Sequence, residues 1–221
     1  MRPPPLTPGR SLLLGLAAVL AAASPAPAGA AGLTFERAFG GVESPLHCRV
    51  AYASGGSPHR LELWRDGDRR VRRRTDDVLE TYATRRAGSP EYSLSVLDLR
   101  RRIHSRVDRT SLYRIGSFTE WFELGHGLRH PTGPYRLTRA AATGTARPLE
   151  ACDWYELAQG ARRSRICWSP RHRLPLLIED GRGAVVWRVT SLDREPPAAS
   201  VFEVHDEGFV RNDAAADISG D

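Results

Sequence analysis

The feature that most constrains the fold of this sequence is a succession of short runs in which apolar and polar residues alternate, separated by turn residues. Residues 61–64 and 69–72 flank Asp66-Gly67, and Ile103 shares one face of its run with Val107. Alternation with period two predicts half-buried strands, and Asp-Gly is a typical hairpin turn. The sequence therefore predicts a meander of antiparallel strands, with further strands at residues 47–53, 78–84 and 92–97.

The second half of the chain continues this pattern. It predicts strands at residues 135–139, 152–157, 165–168, 174–179, 183–192 and 201–204. No internal repeat and no linker interrupts the series, so residues 31–210 are predicted to form one domain. Residues 211–221 are small and acidic and are predicted to form a flexible tail.

Two segments have the pattern of helices. The pattern of residues 34–39 predicts a short helix there. Residues 117–120, Ser-Phe-Thr-Glu, form a capping box with Glu120 in the first turn, and they open an amphipathic run that ends at Gly125 or Gly127. Because a single apolar helix follows five or six strands, we expect it to cover the open face of the sheet.

The N-terminus has the three parts of a signal peptide, which we assign to residues 1–30. Arg2 and Arg10 precede an uncharged stretch at residues 11–23, and small residues follow up to Ala30. A membrane anchor is the alternative, but the uncharged stretch is shorter than the roughly twenty residues that a span needs. We therefore expect cleavage after Ala30, export to the periplasm and at most peripheral contact with a membrane.

The cysteines predict one disulfide. Exported chains form disulfides readily, and this chain has three cysteines, Cys48, Cys152 and Cys167. If Gln159 and Gly160 are the two residues of a hairpin turn, Cys152 and Cys167 face each other directly across the two strands. We therefore expect a Cys152 to Cys167 bond; the alternative is that Cys48 takes one of these partners.

The order of these elements resembles the LolA/LolB-type superfamily of periplasmic lipoprotein carriers. The resembling parts are residues 61–73, residues 92–107, the helix that opens at Ser117, and residues 173–180, 185–190 and Phe202 near the C-terminus. The resemblance implies a mainly β fold with some α structure, in which a curved antiparallel sheet forms an incomplete barrel. It also implies that one or two short helices form a lid over an apolar cavity, usually for an acyl chain.

The apolar face of such a sheet has candidate ligand-binding residues. They are Leu61, Leu63, Leu94, Val96, Trp121, Phe122, Leu176, Ile178 and Trp187. A small barrel has an interior wide enough either for its own side chains or for one small ligand. These residues are therefore predicted to enclose a lipid or a lipoprotein acyl chain, or alternatively to fill the interior.

Three clusters of arginines lie at or beside predicted turns, at residues 69–74, 100–102 and 162–165. Gathered at one rim, they would attract an acidic envelope protein or anionic lipid head groups. The alternative is an ordinary solvated face, in a chain whose basic residues are all arginine. Export separates the chain from nucleic acid, so we expect no nucleic-acid partner.

Catalytic and metal motifs are missing from the sequence. His126 and His130 have the spacing of two metal ligands on a helix, but the glycines around them and Pro131 indicate a loop instead. There is no Gly-x-Ser-x-Gly elbow, no His-Glu-x-x-His and no phosphate-binding loop. We therefore predict no enzymatic activity, no metal and no cofactor, although an acid and a base brought together only by the fold would escape this search.

Two main functions follow from these observations, and a haem or metal site that uses His126 and His130 is a third alternative. The first is a periplasmic carrier that holds a hydrophobic or lipid-like ligand in a half-barrel cavity. The second is a non-enzymatic interaction or sensor module of the envelope, with a filled core and an arginine-rich binding rim.

Overall fold

The computed structural model describes residues 32–107, 120–142 and 146–213. The predicted signal peptide lies outside these residues, as do Ser117 and most of the predicted capping box. Among the helices of the described ranges, none is long and apolar enough to cross a membrane.

The described residues are mostly strands. Two short helices, α1 (Phe35–Phe39) and α2 (Trp121–His126), and one turn of 3-10 helix (Ala199–Phe202) accompany them. The strands are β1 (Leu46–Ser54), β2 (Ser57–Asp66), β3 (Arg70–Thr75), β4 (Leu79–Arg85), β5 (Tyr92–Asp98), β6 (Ile103–Val107), β7 (Arg136–Arg139), β8 (Asp153–Gln159), β9 (Arg162–Ser169), β10 (Leu174–Asp180), β11 (Val185–Asp193) and β12 (Val210–Asp213).

Within the described ranges, these strands form one open sheet. Their order is β12-β6-β5-β4-β3-β2-β1-β11-β10-β9-β8-β7. Every neighbouring pair is antiparallel except β12 and β6, which run parallel. The sheet is not closed, since β12 and β7 lie at its two edges. This confirms the predicted mainly β fold class and is consistent with an incomplete barrel.

The two predicted helices form, with one difference in register. Thr34 caps α1, its side-chain oxygen accepting a hydrogen bond from the Arg37 amide. Helix α2 ends at Gly127, as predicted, but it begins at Trp121, so Glu120 is its N-cap and makes no side-chain capping hydrogen bond. The predicted place of Glu120 inside the first turn is therefore wrong.

Two predictions for the C-terminal part are corrected. Residues 201–204 do not form a strand, because this segment lies across the sheet and makes a 3-10 turn in which the Val201 amide binds the Ala198 carbonyl. Arg211–Asp213 belong to β12, paired with β6, although they are the first residues of the predicted flexible tail. Residues 214–221 lie outside the described part of the chain.

The predicted disulfide is confirmed, but the register used to predict it is wrong. Cys152 and Cys167 are bonded, with their Cα atoms 5.4 Å apart, and Cys48 is buried as a free thiol. Gln159 pairs with Arg162, so the two turn residues are 160 and 161, one position later than predicted. Gly160 has a left-handed φ of +56°. Cys167 therefore faces Trp154, and Cys152 reaches it diagonally from just before β8.

The inner face of the sheet, which packs against α1 and α2, contains the main core. Alternate residues of the central strands, such as Leu61 and Leu63, point inward and are at most 2% exposed. Phe39 of α1 packs against the Trp168 ring at 5.0 Å between centroids, and Trp121 of α2 lies over Tyr92 at 5.7 Å. The helices thus cover this face, as the sequence predicts for the apolar helix.

The outer face is covered on one side by residues 194–213, which we call the strap. Leu97 and Tyr82 have outward positions in β5 and β4 yet are at most 5% exposed. An Arg72 guanidinium donates to the Val201 carbonyl at 3.1 Å, and His104 lies 2.7 Å from Asp206. The strap therefore closes a second layer of buried side chains over β3 to β6.

The other side of the outer face is covered by residues 140–142 and 146–152, which we call the flap. Cys167 and Leu177 lie on outward positions of β9 and β10 and have no exposed surface. An Arg165 guanidinium donates to the Ala141 carbonyl at 2.9 Å. The disulfide joins the end of the flap to β9.

One arginine lies inside the core. The side chain of Arg65 has no exposed surface and donates to four backbone carbonyls, those of Ser44, Gly125, His172 and Arg173, at 2.6 to 3.2 Å. The nearest carboxylate, on Glu43, is 3.9 Å away. Burial lowers the pKa of Arg65 to about 10, so its guanidinium stays charged at neutral pH.

Replacement of this arginine is expected to be costly. Arg65→Met would leave four buried carbonyls without their donor and the Glu43 carboxylate without its nearby cation, so it should lower the free energy of unfolding by roughly 3 to 5 kcal/mol in urea denaturation. Arg69→Met is the control, because Arg69 belongs to the next hairpin turn and its side chain is 60% exposed. It should cost less than about 1 kcal/mol. Equal losses would contradict the central role of Arg65.

The contact between α1 and the loop after α2 predicts a pH-dependent part of the stability. A 2.5 Å hydrogen bond joins His130 Nε2 to Glu36 Oε1, and it raises the pKa of His130 above 6.5 and lowers that of Glu36 below 4.5. The ion pair therefore stabilises the fold most between pH 4.5 and pH 6.5, the ordinary pKa values of the two groups. Its contribution is lost as the pH rises through the raised pKa of His130.

The melting temperature should show this dependence. Between about pH 6 and about pH 9 the wild type should lose more thermal stability than His130→Gln, which lacks the titrating group. Parallel curves for the two proteins would mean that the ion pair does not contribute.

Candidate functional site

A pocket lies on the inner face, beside the C-terminal end of α2. Its volume is about 270 Å³. Strands β1, β3, β10 and β11 and helix α2 supply its lining, which consists of Tyr52, Ala53, Ser54, Arg73, Glu123, Gly127, Ile178, Val186 and Trp187. Strand alternation brings Arg73, Ile178 and Trp187 to the inner face, and the helix closes one side of the pocket.

One wall of the pocket is apolar and aromatic. Trp187 and Ile178 are opposite each other on β11 and β10 and are 6% and 8% exposed. The Tyr52 ring lies 6.1 Å from the Trp187 ring. Trp187 is held in place because its indole Nε1 donates to the Pro175 carbonyl at 2.8 Å. This wall can take apolar groups without rearranging.

The end of helix α2 contacts this wall closely. Gly127 ends the helix with a left-handed φ of +66°, and its amide donates to the Glu123 carbonyl. A Cβ atom at this position would lie 2.1 Å from Cη2 of Trp187. Only glycine therefore lets the helix end against the indole ring.

Arg73 supplies a positive charge to the same pocket. It faces Leu63 and Thr81 across the neighbouring strands and shares the inner face with the buried Val71. Its guanidinium makes no hydrogen bond or ion pair with any residue of the described ranges. Burial lowers the pKa of Arg73, and this shift is partly opposed by its neighbours, Glu123 among them.

The Glu123 carboxylate of the pocket already forms an ion pair. Both oxygens of Glu123 accept hydrogen bonds from Arg129, at 2.9 and 3.0 Å, and these bonds raise the pKa of Arg129. The charge of Glu123 is therefore largely balanced, and the pocket combines a free guanidinium with an apolar wall. That combination suits a molecule that has both an anionic and an apolar part.

The nine candidate ligand residues from the sequence have different positions in the structure. Ile178 and Trp187 line the pocket. Five others are buried in the main core, and two are partly buried and pack against it: Leu61, Leu63, Leu94, Leu176 and Trp121 in the first group, and Val96 and Phe122 in the second. The structure thus brings two of the nine to the pocket and uses seven as packing.

Sequence reasoning missed the polar members of the pocket, Arg73 above all. A signal was available, because Val71 faces inward and residues two apart on a strand share a face. That alternation places Arg73 inward and its neighbours Arg72 and Arg74 outward.

The three arginine clusters lie on separate parts of the sheet. Residues 70–74 belong to β3, residues 100–102 to the turn between β5 and β6, and residues 162–165 to β9. Many of these side chains have acidic partners or carbonyl acceptors. Examples are Arg70 with Asp66, Arg72 with Glu80, Arg102 with the carbonyls of Glu207 and Gly208, and Arg163 with Glu156.

The two histidines considered as metal ligands have separate partners. His126 is the last residue of α2, not a loop residue as predicted, and its Nδ1 lies 2.8 Å from the Phe122 carbonyl. Its pKa is lowered by burial and by Arg65. His130 pairs with Glu36. In the part of the chain that the structure describes, no three histidine, cysteine or acidic side chains are grouped as metal ligands would be.

Comparison with known proteins gives similarity to solved structures only. A scan against models of protein families finds no match, and a search of the curated proteins finds none. Similar structures are MucB (15% identity over 76% of this chain, TM-score 0.44), MucB in complex with MucA(peri) (17% over 75%, 0.38) and the Pseudomonas aeruginosa MucA/MucB complex (15% over 75%, 0.39).

This chain spans only 60%, 56% and 58% of the matched chains, respectively. At these identities and TM-scores, the function has to be argued from the residues described above.

The close contact at Gly127 gives a testable prediction. Gly127→Ala would bring a Cβ atom into the Trp187 ring and would strain the backbone at φ +66°, so it should lower the free energy of unfolding by more than about 2 kcal/mol. Gly133→Ala is the matched control, because Gly133 has φ +84° and open space around it. It should show only the backbone cost of about 1 kcal/mol. Equal losses in urea denaturation would contradict the contact.

Proposed function

We propose that this chain is a non-enzymatic periplasmic binding protein that holds a small amphipathic anion in the pocket beside α2. The observation that carries the proposal is the Arg73 guanidinium, which faces the pocket without a hydrogen bond or ion pair to a described residue. The apolar wall of Trp187 and Ile178 lies in the same pocket.

The energetics of Arg73 support an anionic ligand group. Arg73 is half-buried, and a charge that is partly removed from water without a partner costs free energy that a bound anion would offset. A guanidinium binds carboxylate and phosphate groups through two parallel hydrogen bonds. The ion pair between Glu123 and Arg129 supports the same assignment, because an unpaired carboxylate in the pocket would repel an anionic ligand.

The size of the pocket limits the ligand. About 270 Å³ is at the lower end of ordinary small-molecule sites. The neighbouring core is filled by Leu61, Leu63 and Leu176, which are at most 2% exposed. The pocket therefore suits an anionic head with a short apolar part, whereas a whole acyl chain would require the core or helix α2 to move.

A second candidate function is a protein-binding module with a filled core. It is favoured by the packing of seven of the nine apolar candidates into or against the core. In that case the surface of the sheet, not its interior, would make the contacts with a partner.

The binding proposal can be tested with a small fluorescent aromatic anion, 1-anilinonaphthalene-8-sulfonate. Hexanoic acid should displace the bound probe, whereas hexanol, which lacks the anion, should displace it at least about tenfold less well. Arg73→Leu should weaken probe binding by about tenfold or more. Arg74→Leu is the matched control, because Arg74 is the next residue but points to the outer face, and it should change binding less than about twofold.

Other outcomes would overturn the proposal. Equal displacement by the acid and the alcohol would mean that Arg73 does not select an anion. Equal losses in the two arginine variants would place binding elsewhere. If the wild type binds no probe and native mass spectrometry of the gently purified protein shows only the bare mass, the protein-binding module becomes the better candidate.

A further inference from the structure

The outer face of the sheet has an uncovered trough between the strap and the flap. The strap lies over β3 to β6 and the flap over β8 to β10, where it also accepts a hydrogen bond from Arg188 of β11. Most outward residues of β2, β1 and β11 stay open between them. A groove of about 280 Å³ lies here, lined in part by Arg49, Ala51, Arg60, Glu62, Arg74 and Thr190. Three strands are about 10 Å wide from the first axis to the third, which is enough for one extended peptide.

A small residue lies at the centre of this trough. Ala51 points outward and is exposed, and its direct cross-strand neighbours are Arg60 on β2 and Arg188 on β11. Because adjacent strands are about 4.8 Å apart, the two arginines stand roughly 10 Å from each other on either side of a methyl group. The floor of the trough is therefore lowest at Ala51, where a guanidinium group lies on each side.

The acids of the trough are hydrogen-bonded to or paired with other groups. Glu62 lies within hydrogen-bond distance of His47 and Arg49. Asp76 accepts from the Arg60 amide and binds His59, and these contacts lower its pKa. The Asp77 carboxylate pairs with Arg74.

Neither of the two flanking guanidinium groups forms an ion pair with an acid of the described ranges. That of Arg60 makes no hydrogen bond or ion pair with a residue that the structure describes, although its charge contributes to the lowered pKa of Asp76. The Arg188 guanidinium donates to the Arg147 carbonyl, which is a neutral group. Both guanidinium groups can therefore still pair with a carboxylate of a ligand.

We infer that this trough binds an extended acidic segment of a partner protein. Alternate side chains of an extended peptide point to the same side, so its carboxylates can reach the arginines on both sides of Ala51 while its backbone lies over the methyl group. The strap and the flap form the two walls. This site is on the opposite face of the sheet from the Arg73 pocket, so it goes beyond the function proposed above and is tested separately.

The test uses a short fluorescein-labelled peptide of alternating glutamate and serine, with fluorescence anisotropy as the readout. Arg60→Glu reverses one charge, and Ala51→Phe fills the floor without changing charge; each should weaken binding by about tenfold or more. Arg100→Glu is the control, because Arg100 is exposed in the turn between β5 and β6, and its effect should be less than about twofold. Arg73→Leu should leave peptide binding unchanged.

Each other result would overturn the inference. An equal loss in Arg100→Glu would show general attraction to a basic surface, and unchanged binding in Ala51→Phe would place the peptide elsewhere. A third outcome is that the wild type fails to bind the peptide and sediments with phosphatidylglycerol vesicles, while Arg60→Glu does not sediment. In that case the surface recognises lipid head groups and not a protein. Thermal melts of all variants confirm that they are folded.

Discussion

The buried guanidinium of Arg65 is the interaction on which the rest of the structure depends. It comes from β2, near the middle of the sheet, and its donors bind the carbonyls of Gly125 at the end of α2 and of His172 in the turn before β10. One side chain thus fixes the helix and a distant turn relative to the sheet. Because the end of α2 is held there, Gly127 can rest on Trp187 and the pocket beside it keeps its shape.

Strand alternation decides what the arginines of this chain do. On β3, three successive arginines have different environments: Arg72 lies under the strap with Glu80, Arg73 faces the pocket, and Arg74 borders the trough. A cluster that looks uniform in the sequence therefore supplies structural ion pairs and also borders both the pocket and the trough. The two faces of the sheet differ in chemistry for the same reason, since the inner pocket combines its charge with aromatic rings and the outer trough places its charges on either side of the Ala51 methyl group.

Local patterns predicted much of this fold, and long-range contacts account for most of what they missed. Alternation and turn residues located most of the strands, and the hairpin between Cys152 and Cys167 predicted the disulfide although its register was off. The strap was missed, because residues 201–204 have strand-like composition and only contacts with β3 decide their conformation. For the pocket, the sequence predicted Ile178 and Trp187, but apolar residues that fill a core and those that line a cavity have the same pattern.

The strap also has a consequence for how the chain reaches its native state. His104 meets Asp206, and Arg102 meets Glu207, across 102 and 105 residues of sequence. Until the last part of the chain has been synthesised, β6 is an unprotected edge and Leu97 lacks its cover. Contacts of such long range form late and slowly, and exposed strand edges promote association between chains. The first six strands are therefore fully covered only once residues 194–213 have been made and have folded onto them.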